Sequence, residues 1–518
     1  MQFSCGDHSI LVDCGLFQGS RTLESANHRD FEFKPSQIDA VILTHAHIDH
    51  CGLLPKLVAQ GFDGPIYCTQ ETRDLLEFML ADAGRIQEME AQRHNRRRDR
   101  PGDRQFVPLY TESDAMQAWR QCHPVSLEQS FAPVPSMRAT FWNAGHILGS
   151  ASVELEIDRV RIMCSGDLGP EHKVFLADAE GPSGLDYVIC ESTYGDRDRE
   201  ETTVEDRRKL LQAEVLGAMA RGGNLVIPTF ALERTQELLL DFAVLLDEGK
   251  IGDVNVFVDS PLANEVTGVF ARHVREMEDT GGANIFNRSN FKFVNETQES
   301  IRLNSVSGAV IMAASGMCEA GRIRHHLIHN LHRHDSTVLF VGYQAQGTLG
   351  RTILDGARSV RISGNDIHIR AQIRRIDSYS AHADQGELLE WIAARAPIAG
   401  NLFLTHGEPE AMETLRRELQ RRDPDLTVKL PLLGETYALS AGAAAKRVST
   451  GRADLQQATG RDWQNSYAEF VSDLKGQLHR IRDEKRRQEA LEEMRRVLDS
   501  YAEFKRNHGQ RQSQRLDK

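Results

Sequence analysis

Three imidazoles and one carboxylate fall within six positions in Thr44-His45-Ala46-His47-Ile48-Asp49-His50. Imidazole nitrogen and carboxylate oxygen are the ligands that zinc takes in hydrolytic sites. Ligands at i, i+2, i+4 and i+5 cannot all reach one ion comfortably, but they can divide between two. Two ions about 3.5–4 Å apart can activate a water and neutralise the charge of a phosphate. The bland alternative is a surface histidine cluster, and a short motif needs confirming context.

That context lies further along the chain. Asn143-Ala144-Gly145-His146 follows the alternating run Met137 to Trp142. Ser165-Gly166-Asp167 follows the apolar run Val160 to Cys164, and Leu402-Phe403-Leu404-Thr405-His406 is an apolar run that ends in a histidine. The first cluster itself follows Ala40 to Leu43, which reads as a buried strand. The recurring pattern is a strand with a ligand at its exit. A rigid sheet that carries its ligands in exit loops holds the geometry a functional site needs. Taken singly, His146, Asp167 and His406 would be ordinary polar residues. With the first cluster they complete a seven-ligand set.

The set resembles that of the metallo-β-lactamase fold. The wider pattern resembles its β-CASP branch, the nucleases related to the cleavage-and-polyadenylation factor nuclease subunit, RNase J and Artemis. The motifs added in that branch are matched by Glu191 in Cys190-Glu191-Ser192-Thr193-Tyr194-Gly195-Asp196, His382 in Ser380-Ala381-His382-Ala383-Asp384, and His406 in Thr405-His406-Gly407-Glu408. The resemblance runs from about Ser4 to about Leu439.

The resemblance implies an α/β protein: a metallo-β-lactamase αββα sandwich, an inserted β-CASP α/β domain and, in this chain, a helical C-terminal tail. It implies two zinc ions per chain, one held by His45, His47 and His146, the other by Asp49, His50 and His406, with Asp167 bridging. It implies hydrolysis of RNA phosphodiester bonds by a metal-bridging water, with cleavage inside the strand as the first expectation and processive cleavage from a 5′ end as the alternative. His382 is the candidate general acid and Glu191 the group that holds its imidazole. Asp49 counts with them in the catalytic set, and Asp13 is expected to orient the ligand loops. Ser315 and Ser380 are candidate substrate contacts.

Rival classes differ in particular residues. A DNA nuclease of the Artemis kind shares the architecture, but its last motif resembles valine where this chain has His406. A lactonase or thioesterase shares the first motifs but lacks a domain like residues 194–375. A catalytically silent RNA-processing scaffold is disfavoured because every ligand position is filled.

The elements that must position these residues can be read coarsely. Residues 1–193 alternate short apolar runs with turn signals and read as the first, sheet-rich part of the metallo-β-lactamase domain. Residues 194–375 read as the insert, 376–440 as the second part of the first domain, and 441–518 as a charged helical extension. In the insert, helix-like stretches (Val204 to Arg221, Leu232 to Leu246) alternate with strand-like runs (Asn224 to Ile227, Val254 to Val258, Ala309 to Met312, Thr337 to Val341). That alternation is the signature of parallel βαβ units. An insert that separates ligands of one site must dock against that site, so the cleft between the domains is the expected substrate channel. The strand exits read Pro228-Thr229-Phe230, Asp259-Ser260-Pro261, Ala314-Ser315-Gly316-Met317 and Gly342-Tyr343-Gln344-Ala345-Gln346-Gly347. Small and hydroxyl residues there suit phosphate, or plain turn chemistry. No Gly-x-Gly-x-x-Gly follows the first strand, which argues against a dinucleotide.

Length and composition set outer bounds. A chain of 518 residues is too long for one ordinary core. With 40% hydrophobic and 26% charged residues it reads as a soluble globular protein. No run reaches the ~18 apolar residues of a membrane span. Met1-Gln2-Phe3-Ser4-Cys5-Gly6-Asp7 does not read as a signal peptide. The family pattern opens with a strand ahead of Ile10-Leu11-Val12-Asp13-Cys14-Gly15, so the first strand is expected to be missing. Eight scattered cysteines without a C-x-x-C pair fit reduced thiols and a cytoplasmic location.

The net charge of −13 is awkward for a partner such as RNA, since grip on phosphates comes from Lys and Arg. A locally positive cleft and the metals themselves offset this. The stretch Arg93 to Arg104 is basic and reads either as a solvated loop or as an RNA-contacting arm. From Lys475 onward 13 Lys/Arg face 8 Asp/Glu, so the remaining chain carries −18. Phe470, Leu474, Leu478 and Ile481, then Leu491, Met494, Leu498 and Tyr501, follow helical spacing, with a frayed tail after Asn507. Such helices suit packing on the body, a homo-oligomeric partner, or RNA.

Overall fold

A computed structural model describes residues 1–18, 21–97, 105–171, 173, 176–198, 203–273, 285–342, 344, 347–451, 474, 477, 478 and 480–497. Several expectations lie outside the described residues: the basic stretch from 98 to 104, Tyr343, Ala345 and Gln346, Phe470, Leu498, Tyr501 and the tail after Asn507.

Two sheets form the first layer pair. One has five strands in the order β1 (Gln2–Cys5), β2 (His8–Val12), β3 (Ala40–Ile42), β4 (Ile66–Cys68) and β5 (Cys122–Pro124). The strand β1 lies at the outer edge, antiparallel to β2, and the rest run parallel. The other sheet uses β6 (Ser130–Val134), β7 (Met137–Asn143), β8 (Ala151–Ile157), β9 (Val160–Cys164) and β10 (Leu185–Glu191). Two later strands, which belong after the insert, complete it.

The alternation of side chains makes the layers. In β2 and β3, Ile10, Val12, Ala40 and Ile42 face the second sheet, where Phe141, Val153, Leu155 and Ile162 meet them. Leu11, Val41 and Leu43 point the other way, onto helices carrying Leu54, Leu57, Leu75 and Leu76. The second sheet repeats the arrangement, with Met163, Val188, Cys190, Leu402 and Leu404 under the helices Gln385–Ala393 and Pro409–Arg422. A period of two sorts residues between a sheet–sheet core and a sheet–helix core. The result is the αββα sandwich.

The insert holds a third sheet, formed by β11 (Leu225–Pro228), β12 (Val256–Val258), β13 (Phe291–Phe293), β14 (Val310–Ala313), β15 (Thr337–Val341) and, after a separate two-stranded hairpin of β16 (Ser359–Ile362) and β17 (Asn365–His368), β18 (Gln372–Ile376). Its six strands run in the order β13-β12-β14-β11-β15-β18, all parallel, as the helix–strand alternation leads one to expect. The helices Val204–Ala220 and Arg234–Asp247 flank it. The chain then returns as β19 (Ile398–Thr405) and β20 (Val428–Lys429), giving the second sheet the order β20-β19-β10-β9-β8-β7-β6.

Two stretches differ from their sequence reading. Residues 93–97 are not loop: they are the last turn of a 28-residue helix, Gln70–Arg97. The segment after Gly442 does not begin as helix: Lys446–Ser449 is a strand antiparallel to Thr436–Ala438. Asn401 Oδ1 accepts the Ala445 N–H at 2.6 Å, so tertiary pairing overrides the charged local pattern. A second compact unit spans Thr459–Lys518, and within it residues 484–497 are helical with Leu491 and Val497 exposed. Among the described residues no helix is long and apolar enough to cross a membrane.

Candidate metal centre

Strands β7, β9, β10 and β19 point in one direction, and their exits deliver His146, Asp167, Glu191 and His406 to one place. The exit of β3 delivers the first cluster. Its second half, Ile48–Cys51, is a single helical turn, so Asp49 and His50 sit on a rigid support.

Tight backbone approach holds these loops. A Cβ on Gly15 would lie 1.5 Å from the carbonyl oxygen of Asp49, so only glycine lets the β2 exit pass under the ligand turn. Gly169 stands in the same relation to Gly145, at 1.7 Å. Asp13 and His406 adopt left-handed conformations with φ of 63° and 50°. Asp and His are enriched in that region among residues other than glycine, and such conformations gather at functional sites.

Four ligand atoms converge first. His47 Nδ1 lies 3.1 Å from His45 Nε2 and 3.1 Å from His146 Nε2. Asp167 Oδ2 lies 3.6 Å from both of those Nε2 atoms. Ligands on a tetrahedral ion at zinc–nitrogen distance sit roughly 3.4 Å apart, so this spacing suits one zinc. The other oxygen of Asp167 faces a second group: Oδ1 is 3.2 Å from His50 Nε2 and 3.3 Å from His406 Nδ1. Asp49 Oδ2 lies 3.5 Å from His406 Nε2. The chain thus gathers His45, His47, His146 and Asp167 in one cluster and Asp49, His50 and His406 in another. Buried His50 Nε2 and Asp167 Oδ1 face each other at 3.2 Å without hydrogen-bond alignment and form no other hydrogen bond, an arrangement that suits a shared cation. The donor set therefore fits zinc.

Surrounding groups fix the imidazoles. Asp13 accepts the Thr44 N–H at 2.8 Å, the Thr44 hydroxyl at 2.9 Å and His50 Nδ1–H at 2.8 Å. His146 Nδ1 donates to the Ala381 carbonyl at 2.8 Å. Such partners set which nitrogen is left for a metal. Glu191 Oε1 lies 3.2 Å from His382 Nδ1 and accepts the Leu168 N–H at 2.6 Å. His382 stands at the rim of the cluster, 3.9 Å from Asp167 Oδ2.

Protonation divides the ligands. Burial, reinforced by neighbouring imidazoles, holds His45 and His146 well below the ordinary histidine range and takes His47 to about 4. For His50 and His406 burial acts the same way, but carboxylates outweigh it. Asp167 and Asp13 hold His50 well above the ordinary range, and Asp167 and Asp49 bring His406 to about 9. Burial opposes the charge of Asp167 too, yet the imidazoles keep it ionised.

The serines are placed differently from the rest. Ser380 is buried, and its hydroxyl accepts the His382 N–H at 3.3 Å, which makes it a support for His382 rather than an open contact. Ser315 lies at the exit of β14 with its hydroxyl bonded to the Ala320 backbone. Sequence reasoning missed Lys173 and Glu233, which brace the His146 loop from behind. Neither belongs to a recognisable motif.

Comparison with known proteins agrees with this architecture. Residues 6–202 match the Metallo-beta-lactamase superfamily, 235–353 the Beta-Casp domain, and 366–431 the Zn-dependent metallo-hydrolase RNA specificity domain. The chain is 34% identical over 433 residues to Ribonuclease TTHA0252 of Thermus thermophilus, covering 82% of this chain and 93% of the relative. It is 30% identical over 441 residues to transcription termination factor FttA of Methanosarcina mazei, and 31% identical over 440 residues to FttA of Methanocaldococcus jannaschii. This chain covers 66% of each FttA.

Proposed function

Because the chain belongs to the β-CASP branch of the metallo-beta-lactamase superfamily, we propose that it is a zinc-dependent ribonuclease that cuts RNA within the strand. The observation that carries this reading is Asp167, whose two oxygens face two separate ligand groups while His382 stands beside them on Glu191. Two zinc ions would be held, one by His45, His47 and His146, the other by Asp49, His50 and His406, with Asp167 between them. Zinc bound there supplies a Lewis acid for phosphate oxygens and a water of lowered pKa.

The remaining roles fall to the chain itself. Burial opposes charge on His382, but Glu191 and Asp167 outweigh it, so its pKa is raised. A protonated imidazole at that point can give its proton to the departing ribose oxygen. Glu191 holds the ring in place through Nδ1 and leaves Nε2 to serve as the donor. Asp13 and Thr44 fix the ring of His50 and the backbone of the ligand turn.

A single-stranded RNA labelled at its 5′ or 3′ end, a circular RNA and the matching DNA test the reading together. Zinc-loaded protein should cut linear and circular RNA and spare DNA. Cleavage of linear RNA alone would make the enzyme an exonuclease. Cleavage of DNA alone, or hydrolysis only of a lactone or thioester, would overturn the assignment.

A further inference from the structure

The insert helix Arg234–Asp247, with Glu233 at its N-cap, carries carboxylates at four-residue spacing: Glu233, Glu237 and Asp241. That spacing puts all three on one face of the helix. All three are buried, and a buried carboxylate needs partners. The partners at the two ends belong to the two segments on which the candidate centre depends.

At one end, Lys173 Nζ lies 2.8 Å from Glu233 Oε1 and donates to the carbonyl oxygen of His146 at 2.5 Å. The other oxygen of Glu233 accepts the Leu148 N–H at 3.3 Å. The insert's Glu233 therefore holds the His146 loop directly at residue 148 and, through Lys173 of the first domain, at residue 146. Glu233 does so with φ of 68°, a left-handed conformation that persists only where the surroundings over-determine it. At the other end, Asp241 Oδ2 accepts the Tyr379 hydroxyl at 2.8 Å and Arg207 Nε at 2.9 Å. Tyr379 leads directly into Ser380, Ala381 and His382. The middle is tied by Arg234, which donates to Glu237 at 2.6 Å. The loop closes on itself, because the Ala381 carbonyl accepts from His146 Nδ1.

We propose that this carboxylate ladder sets the spacing between His146 and His382, with Glu233 and Lys173 as positioning residues for the metal site. On this view the insert does more than lie across the centre as a substrate clamp: it builds one wall of it. The inference rests on reading His146 as a metal ligand and His382 as the acid.

Cobalt(II) titration of the metal-free full-length chain, followed by the visible absorption of the bound ion, provides a readout independent of turnover. Wild-type protein should take up about two equivalents, and His146→Ala about one. If wild type takes up no cobalt, the metal reading falls and this inference falls with it. Given normal wild-type uptake, Glu233→Gln and Lys173→Met should weaken one equivalent by about 10–100-fold and change its absorption band. They should also lower kcat on RNA while KM stays within about twofold, the pattern of a lost transition-state interaction. Lys173→Arg, which keeps charge and donor, should restore most of the affinity. Tyr379→Phe should lower kcat with both equivalents still bound. Unchanged cobalt affinity and band in folded Glu233→Gln and Lys173→Met would overturn the ladder alone. So would a raised KM at constant kcat, since the ladder would then only seat the clamp. Should Lys173→Met fail to fold, the isosteric Glu233→Gln decides by the same readouts.

Discussion

Glu191 Oε1 and His382 Nδ1 meet at 3.2 Å across 191 residues of chain. The same carboxylate oxygen accepts the N–H of Leu168, next to Asp167, so one atom ties His382 to the Asp167 loop. This gives His382 a raised pKa and a fixed ring at once.

His382→Ala should lower kcat about 10²–10⁴-fold with both zinc ions retained. Glu191→Gln removes the charge that raises the His382 pKa. Turnover needs protonated His382, so kcat falls as pH rises through that pKa, and the fall should move to lower pH in the variant. Single-turnover rates across pH check this. Loss of zinc from His382→Ala, or an unmoved alkaline limb in Glu191→Gln, would refute the division of roles.

Elemental analysis of native protein should find about two zinc ions per chain, given the seven ligands. His146→Ala and His406→Ala should each keep about one. Both variants retaining two, or wild type holding well under one after zinc addition, would exclude the dinuclear reading.

Metal binding at the two clusters should respond differently to pH. Zinc takes neutral imidazole. His45, His47 and His146 are already neutral at physiological pH, so their site should keep its affinity until pH approaches 4. His50 and His406 must give up protons, so the second site should weaken as pH drops below about 9. Stability follows with the opposite sign in metal-free protein. The His406 pKa is raised in the fold, so its stabilisation is full below about 6.5 and lost as pH rises through about 9. The gain in Tm on adding zinc should therefore grow from pH 6.5 to 9. Equal gains at both ends would contradict it.

Asp13→Ala should weaken the second zinc about 10–100-fold, because Asp13 Oδ2 accepts from His50 Nδ1 at 2.8 Å and from the Thr44 hydroxyl at 2.9 Å, while the direct contact of that hydroxyl with His50 Nδ1 is long, at 3.5 Å. Equilibrium dialysis should show stoichiometry falling toward one while the first site is spared. Equal loss at both sites would mean that Asp13 serves the fold of the whole loop.

Much of this was legible because strand and exit are local features. The runs Val160 to Cys164 and Thr337 to Val341 are β9 and β15 residue for residue. The ligands sit at strand exits because only there does the backbone leave the ladder. The helix Gln70–Arg97 was not legible, since exposed charged and polar residues dilute its apolar face (Leu75, Leu76 and Leu80). Nor were Lys173 and Glu233, whose meaning lies wholly in a tertiary pairing. Ser380 was visible as a motif residue, but its inward turn toward the His382 backbone was not.

The position of β19 has a consequence for biosynthesis. This strand lies inside the second sheet, between β10 and β20, yet the insert delays its synthesis. Some 214 residues separate the end of β10 from the end of β19. At about 5–20 residues per second, a nascent chain spends roughly 10–40 s with β10 as a bare, apolar edge. The insert must fold during that interval, and the last residue of the candidate metal set, His406, arrives only after it. A ribosome stalled just short of residue 398 should therefore present a chain that chaperones capture through β10, and release past residue 405 should end the capture.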